Sequence, residues 1–175
     1  STTEIPVLIC RGEVVLRNPS NQQIADCLGF NESIDQTHVR DLVVIGAGPS
    51  GLAAAVYGAS EGLDVLVLET NFPGGQAGSS SKIENYLGFP TGISGQELAA
   101  RAYHQAQKFG VETAIPDEVI GLDALSDTAD GCLVLRLSNA EHVRARSVVV
   151  ASGARYRRLA VDGLESFEGA SVHYW

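Results

Sequence analysis

The chain has 175 residues, of which 45% are hydrophobic and 19% charged, and its formal net charge is −9. This composition is typical of a folded globular protein and too apolar for a disordered one. The negative charge argues against nonspecific binding to nucleic acid or anionic membranes, which needs clustered cations. No apolar run approaches the roughly 20 residues of a membrane-spanning helix, so we expect neither a nucleic acid nor a membrane as a partner.

The cysteines indicate a reducing environment. Cys10, Cys27 and Cys132 are odd in number and form no C-x-x-C pair, and the N-terminus shows no basic region followed by an apolar stretch. Free thiols in the cytoplasm are therefore the expectation, without a signal peptide. Neither His142 nor His173 has partners at metal-ligand spacing, so we predict no metal site.

Two short strands and a helix are predicted at the start of the chain. Residues 6–10 and 13–16 are apolar strands joined across a turn. Ser20 and Gln23 have the S-x-x-Q form of a capping box, after which Ile24 and Cys27 follow at helical spacing. A polar linker over residues 31–38 comes next. This unit is too small to bury a core of its own.

A strand–helix–strand unit begins near residue 41. Residues 42–45 form the continuous apolar run of a strand buried on both faces. The glycine-rich turn of residues 46–51 follows, then an alanine-rich helix and a second strand over residues 64–69. A βαβ unit of about 30 residues predicts a parallel sheet with a right-handed crossover.

The second half of the chain is predicted to be mixed. Residues 71–92 are rich in Gly, Ser and Pro, and a loop of this length is usually functional. A second capping box, Ser94 with Glu97, opens a helix that ends at Gly110. The apolar face of this helix consists of Leu98, Ala102, Ala106 and Phe109. Residues 119–124 and 133–137 are predicted as antiparallel strands around a polar turn, and residues 147–151 as another buried strand.

The glycine-rich turn predicts a dinucleotide site. Gly46, Gly48 and Gly51 form G-x-G-x-x-G between a strand and a helix, and Glu69 ends the next strand. The first glycine allows the tight turn, the second lets a pyrophosphate approach the backbone, and the third permits close packing of helix on strand. The amides of the helix N-terminus then bind the anion. Glu69 would accept hydrogen bonds from a ribose and disfavours NADP, but the fingerprint alone does not separate NAD from FAD.

Several motifs together resemble the thioredoxin reductase family of FAD-dependent pyridine nucleotide-disulfide oxidoreductases. They are the fingerprint, F-P-G-G-Q at residues 72–76, I-E-N-Y-L-G-F-P at 83–90, the helix that ends at Gly110, and A-S-G-A at 151–154. The resemblance covers residues 41–175. It implies an α/β, Rossmann-like FAD-binding three-layer fold with a parallel sheet and a small antiparallel meander, here incomplete.

The resemblance also implies a role for each matching residue. The FAD pyrophosphate would lie against the turn and helix start, and Glu69 would bind the adenosine ribose. Gly75, Gln76 and Asn85 would border the isoalloxazine, while the backbone of Val119 would contact adenine. The chain would pass under the cofactor at the A-S-G-A motif. The implied cofactor-binding residues are Gly46, Gly48, Pro49, Ser50, Gly51, Glu69, Gly75, Gln76, Asn85, Val119, Gly153 and Ala154.

The chain departs from the family in two respects. Trp175 stands where the family has the first cysteine of its redox dithiol, so the dithiol mechanism is unavailable and no catalytic side chain is expected. The nicotinamide domain and the segment that completes the FAD domain are also missing. We therefore expect a part of a longer flavoenzyme that on its own binds FAD weakly and self-associates through uncovered apolar surface.

We predict three parts in the chain. Residues 1–38 resemble the C-terminal half of a thioredoxin fold, with Ile5–Pro6 as its cis-proline bond, although an unrelated β-β-α arm is an alternative. Residues 39–158 are the N-terminal part of the FAD-binding domain, and residues 159–175 begin the connection to a nicotinamide domain.

The predicted function is FAD-dependent hydride transfer from NAD(P)H to flavin and on to an unknown acceptor. FAD is the expected cofactor and NAD(P)H the co-substrate. A redox protein and a second copy of the chain, forming a homodimer, are the expected partners. The alternatives are a non-catalytic flavin-bearing regulatory or interaction module and an NAD-binding dehydrogenase domain without flavin.

Overall fold

A computed structural model describes residues 5–10, 12–20, 23, 24, 27, 34–115, 118–124 and 131–174. Within them lie eight strands, two α-helices and two 3₁₀ turns. In chain order these are β1 Val7–Cys10, β2 Val14–Arg17, β3 Val39–Ile45, α1 Pro49–Ser60, β4 Val65–Leu68, a 3₁₀ turn Gly75–Ser79, α2 Gly95–Lys108, β5 Glu112–Ala114, β6 Val119–Ala124, β7 Leu133–Leu137, β8 His142–Val150 and a 3₁₀ turn Leu164–Phe167. None of the helices in these ranges is long and apolar enough to cross a membrane.

The larger sheet has six strands in the order β5-β4-β3-β8-β7-β6. The first four run parallel, since β3 pairs in parallel with both β4 and β8, and β4 with β5. Strands β6, β7 and β8 form an antiparallel meander. Strand β8 belongs to both parts: its first half pairs with β7, and from Arg144 onward it pairs with β3. This confirms the predicted parallel sheet with a small meander.

Two apolar clusters on opposite faces of the parallel sheet show the three layers. Because side chains alternate along a strand, Val44 and Val67 face the helices, where they pack with Leu52 of α1 and Ala106 of α2. Their neighbours along the strands, which include Val43 and Leu66, pack on the other face against the meander residues Leu135, Leu137, Val143 and Ala145. Continuous apolar strands are therefore required at the centre, as the sequence of β3 and β4 predicts.

Some predicted elements differ from the structure in extent. Strand β5 was not predicted, because three residues carry no measurable periodicity. Strand β8 begins at His142 rather than residue 147, since its polar first half belongs to the meander. Phe109 is the C-cap of α2 and is exposed rather than part of the buried face, with Lys108 over its ring. The polar turn predicted between β6 and β7 lies outside the described residues.

The N-terminal arm, β1 and β2, forms a separate antiparallel two-stranded sheet. The predicted capping box is confirmed, because the Ser20 amide donates to Gln23 Oε1 and the Gln23 amide to Ser20 Oγ. The Ile5–Pro6 bond is cis, as expected. The assignment of the arm to a thioredoxin fold stays a prediction.

The expectation of free thiols is wrong for two of the three cysteines. Cys10 of β1 and Cys27 form a disulfide, whereas the buried Cys132 takes no part in it. The two partners are 17 residues apart in sequence, and no C-x-x-C spacing marks them. The folding of the helical segment back onto the hairpin brings them together. The free-thiol argument for a reducing compartment therefore fails, and a cytoplasmic location stays a prediction.

We predict one reactive thiol per chain when the protein is denatured without reductant, because Cys132 is the one cysteine that lies outside the disulfide. Reduction before denaturation raises the count to three. Alkylation followed by intact-mass measurement counts the thiols, and Cys132→Ser is the control, for which no thiol is expected before reduction. Three thiols in the unreduced protein would contradict the disulfide.

A charged network joins the amino ends of the parallel strands. Arg40 of β3 is buried and donates from Nη1 to Asp64 Oδ1 at 2.9 Å and from Nη2 to Glu112 Oε2 at 2.5 Å. His38 Nε2 lies 2.6 Å from the other oxygen of Asp64. Desolvation raises the pKa of Asp64, but the hydrogen bonds from His38 and Arg40 outweigh it, so its pKa lies below the ordinary value of 3.8.

We predict that Asp64→Asn lowers the free energy of unfolding by about 1 kcal/mol at pH 7, an estimate reduced for solvent screening of a partly exposed carboxylate. Because the folded-state pKa is depressed, the contribution is present above about pH 3.8 and lost as the pH falls through the folded-state pKa. Urea unfolding at several pH values measures the difference, with exposed Asp162→Asn as control. A difference that stays constant down to pH 2.5 would contradict this assignment.

Candidate functional site

The turn between β3 and α1 has two glycines that the protein's own packing requires. Gly46 has a φ of +100°, and a Cβ there would lie 2.4 Å from the carbonyl oxygen of Ala151. A Cβ at Gly51 would lie 1.9 Å from the carbonyl oxygen of Gly46. These distances are shorter than van der Waals contact. The first and third positions of the fingerprint are therefore fixed by backbone approach within the fold.

Gly48 differs, because no atom of the described residues would crowd a side chain there. Its φ of −71° and ψ of 178° suit any residue, and the nearest atom to an added Cβ is the Cα of Gly75, at 4.0 Å. Gly48 is the N-cap of α1, which lacks a side-chain cap, and Pro49 and Ser50 are the first helical residues. The space between Gly48 and Gly75 is thus lined by backbone at the positive end of a helix, which suits a bulky anion.

Glu69 follows β4 and holds the turn in place. Its Oε2 accepts a hydrogen bond from the Ala47 amide at 2.7 Å, and its Oε1 accepts one from the Asn71 amide at 2.9 Å. A carboxylate has about four acceptor positions, so each oxygen retains one for a ribose hydroxyl. The half-buried side chain therefore combines a structural contact with capacity for a ligand.

Gln76 and Ala154 lie 78 residues apart in sequence and are in contact. The side-chain amide of Gln76 donates a hydrogen bond to the carbonyl oxygen of Ala154. Gln76 belongs to the 3₁₀ turn that Gly74 caps with a φ of +118°. The adjacent Gly153 has a φ of +73°. The structure therefore joins the segment predicted to border a flavin ring to the segment predicted to pass beneath it.

The two remaining predicted site residues, Asn85 and Val119, lie in other parts of the chain. Asn85 is exposed in the loop between the 3₁₀ turn and α2, and mutual backbone hydrogen bonds between Ile83 and Ile93 close the base of that loop. Val119 begins β6 and packs against the cluster that contains Leu68, the last residue of β4. The assignments of all these residues to a cofactor stay predictions.

Five residues outside the predicted set help to build the site. The Gly74 amide donates to the carbonyl of Ala47 at 2.8 Å, and the Ala151 amide donates to the carbonyl of Ile45 at 2.8 Å. A Cβ at Gly74 would lie 2.6 Å from that of Ala99 in α2. Two consecutive glycines, Gly74 and Gly75, indicate in the sequence that the backbone is closely packed there. The backbone contacts of Ala47 and Ala151 could not be predicted, because they do not depend on the side chain.

These contacts bring together three segments, residues 46–51, 74–76 and 151–154, which we call the rim. The rim lies at the carboxyl ends of β3 and β8, where ligands bind in open parallel sheets. It offers backbone amides and glycine surfaces, and the Glu69 carboxylate is attached to it through the Ala47 amide. Among the described residues no cluster of histidine, cysteine or acidic side chains could hold a metal ion. This set fits a dinucleotide whose pyrophosphate lies at Gly48.

We predict that Gly48→Ala weakens FAD binding at least tenfold, because the added methyl group would stand where the pyrophosphate is proposed to lie. The free energy of unfolding should change by less than about 1 kcal/mol, because the methyl group does not clash with the protein. Gly51→Ala is the matched control and is destabilised by about 1–3 kcal/mol through its clash with the Gly46 carbonyl. Flavin-fluorescence titration and urea unfolding measure the two effects. Unchanged FAD affinity in Gly48→Ala would place the anion elsewhere.

Comparison with known proteins gives one family for most of the chain. The family model described as pyridine nucleotide-disulphide oxidoreductase matches residues 40–175. The thioredoxin reductase of Bacillus subtilis is 35% identical over 143 residues, which cover 81% of this chain and 42% of that protein. This chain therefore spans about two fifths of the length of this relative.

Solved structures give the same result. The thioredoxin reductase of Streptococcus pyogenes aligns with a TM-score of 0.63 and 36% identity, over 74% of this chain and 40% of that one. The Lactococcus lactis thioredoxin reductase aligns with a TM-score of 0.64 and 34% identity, over 73% and 40% of the respective chains.

Proposed function

Because the chain belongs to the pyridine nucleotide-disulphide oxidoreductase family, we propose that it forms the FAD-binding part of a thioredoxin reductase-like oxidoreductase. In the whole protein, the bound flavin would accept a hydride from NAD(P)H, and an acceptor would then receive the electrons. The observation that carries this proposal is the backbone-lined room at Gly48, where an added Cβ would make only ordinary contact with the Gly75 Cα, at 4.0 Å.

The pyrophosphate of FAD would lie at the start of α1, against Gly46, Gly48, Pro49, Ser50 and Gly51. Gly46 and Gly51 keep the turn tight enough for the helix amides to point at one anion. Glu69 would bind the adenosine ribose through its remaining acceptor positions. A carboxylate at that position repels a 2′-phosphate, which favours FAD over a phosphorylated dinucleotide.

The flavin ring would lie beside Gly75, Gln76 and Asn85, and the backbone of Val119 would contact the adenine. Gly153 and Ala154 would support the cofactor from below, where the chain leaves β8. When bound, the flavin supplies the capacity to accept a hydride and pass its electrons on. The residues of this chain bind and orient it.

We propose NAD(P)H as co-substrate and a redox protein as partner, because the relatives are thioredoxin reductases. A homodimer is part of the same proposal. The sequence has no C-x-x-C, so the acceptor would receive electrons without a dithiol of that spacing in this chain. Trp175, at the position of the first family cysteine, lies outside the described residues.

A non-catalytic flavin-bearing module is the second candidate, and the same lack of a C-x-x-C pair favours it. The two candidates share the cofactor and differ in turnover. The test adds NADPH or NADH to the whole protein without oxygen. The visible absorption of the flavin is bleached if the protein is an oxidoreductase, whereas the flavin of a binding module stays oxidised.

We predict that the complete protein, as purified, releases FAD, and neither FMN nor NAD, on acid denaturation. Chromatography of the supernatant with authentic standards identifies the nucleotide, and absorbance gives its ratio to protein. If the protein purifies without cofactor, equilibrium dialysis with each of the three nucleotides measures the preference. Stoichiometric NAD without flavin would refute the proposal and favour a dehydrogenase domain.

A further inference from the structure

The three segments of the rim are linked in pairs. The fingerprint turn meets β8 through Gly46 and Ala151, where backbone approaches backbone. The same turn meets the 3₁₀ segment through the hydrogen bond between Gly74 and Ala47. The 3₁₀ segment meets the end of β8 through the side chain of Gln76 on Ala154. Two of these three links are made by backbone, and the third depends on a single side chain.

Beyond Ala154, the next side-chain contact along the described chain is that of Arg158, which pairs with Glu168 and lies over the Tyr174 ring. Gly153 has a φ of +73°, and a Cβ there would meet nothing within 4 Å. Residues 152–163 are exposed and have no regular secondary structure except a turn at their end. The pairing of β8 with β3 ends at Val150, and the Ala151 amide donates one further backbone hydrogen bond to Ile45. The Gln76 hydrogen bond is therefore placed to decide how the chain leaves the sheet.

We propose that Gln76 is a positioning residue that latches the exit from β8 to the loop bordering the cofactor. Its amide fixes Ala154, so that the 3₁₀ segment and the residues that follow Ala154 move as one unit. This inference rests on the proposed FAD site for its functional consequence: cofactor contact at Gly75 would be transmitted through Gln76 to the direction of the departing chain. The latch itself does not depend on which cofactor binds.

The latch has a defined donor, and this gives a chemical test. The Nε2 group donates to a carbonyl, so a side chain of similar length that can donate preserves the contact. Lysine retains a donor, whereas ionised glutamate only accepts and repels the carbonyl oxygen. Because Gln76 is exposed, neither change disturbs the core. The two variants therefore separate the hydrogen bond from a general loss of packing.

Chymotryptic cleavage after Tyr156 reports the order of the exit segment, since Tyr156 is exposed and lies two residues beyond Ala154. In the cofactor-free protein we expect Gln76→Glu to be cleaved there about fivefold faster than the parent. This factor corresponds to the loss of roughly one hydrogen bond. Gln76→Lys is expected within twofold of the parent. Gln96→Glu, an exposed position in the first turn of α2, is the matched control and should not change the rate.

If Gln76→Glu is cleaved at the same rate as the parent protein, the latch is overturned. If cleavage is accelerated equally in Gln76→Glu and Gln76→Lys, the latch is also overturned, because the hydrogen-bond donor would then be irrelevant. In a second arm with added FAD, we expect cleavage of the parent to slow and that of Gln76→Glu to slow less. If Gln76→Glu loses FAD affinity with an unchanged cleavage rate, Gln76 contacts the cofactor directly and the latch is wrong. If the complete protein carries no FAD but the cofactor-free rates follow the expected order, the latch stands and the proposed function fails.

Discussion

The close approach of backbone to backbone at the carboxyl ends of β3 and β8 is the constraint on which the site depends. At Gly46 the chain turns with a positive φ while the carbonyl of Ala151 occupies the space of a side chain. At Gly51 the carbonyl of Gly46 occupies the space that a side chain would need. Helix α1 therefore starts directly against the sheet, and its free amides face outward at the sheet's edge. A larger residue at either position would separate the helix from the strand and disperse those amides.

The three layers maintain this approach. Strand β3 lies between β4 and β8, and its alternating side chains are buried by the helices on one face and the meander on the other. Arg40 fixes the opposite end of the same strand to β4 and β5 through Asp64 and Glu112. The central strand is thus held on both faces and at its amino end, so that its carboxyl end can carry an exposed, tightly bent turn.

Sequence alone predicted the features that are local. The βαβ unit follows from an apolar run, three glycines and an acid, and both strand pairs β1–β2 and β6–β7 follow from short apolar runs. Features set by distant contacts were not predictable in this way. The disulfide joins Cys10 to Cys27 without a spacing motif, and β5 is ordered by its pairing with β4 rather than by its own three residues. The contact of Gln76 with Ala154 spans 78 residues; the resemblance identified both residues but not their mutual hydrogen bond.

Glu69 shows how the proposed recognition of the two halves of a dinucleotide would be coupled. The carboxylate that would bind a ribose also accepts the amide of Ala47, which lies within the turn that would bind the pyrophosphate. A ribose hydroxyl that donates to Glu69 would therefore bind a carboxylate that already accepts a hydrogen bond from the turn. The hydrogen bond between Glu69 and Ala47 does not require the ligand. Shortening this side chain to aspartate would force a choice between Ala47 and the ribose, since one carboxylate cannot reach both from a position about 1.5 Å further back. A glutamate at the end of β4 satisfies both requirements.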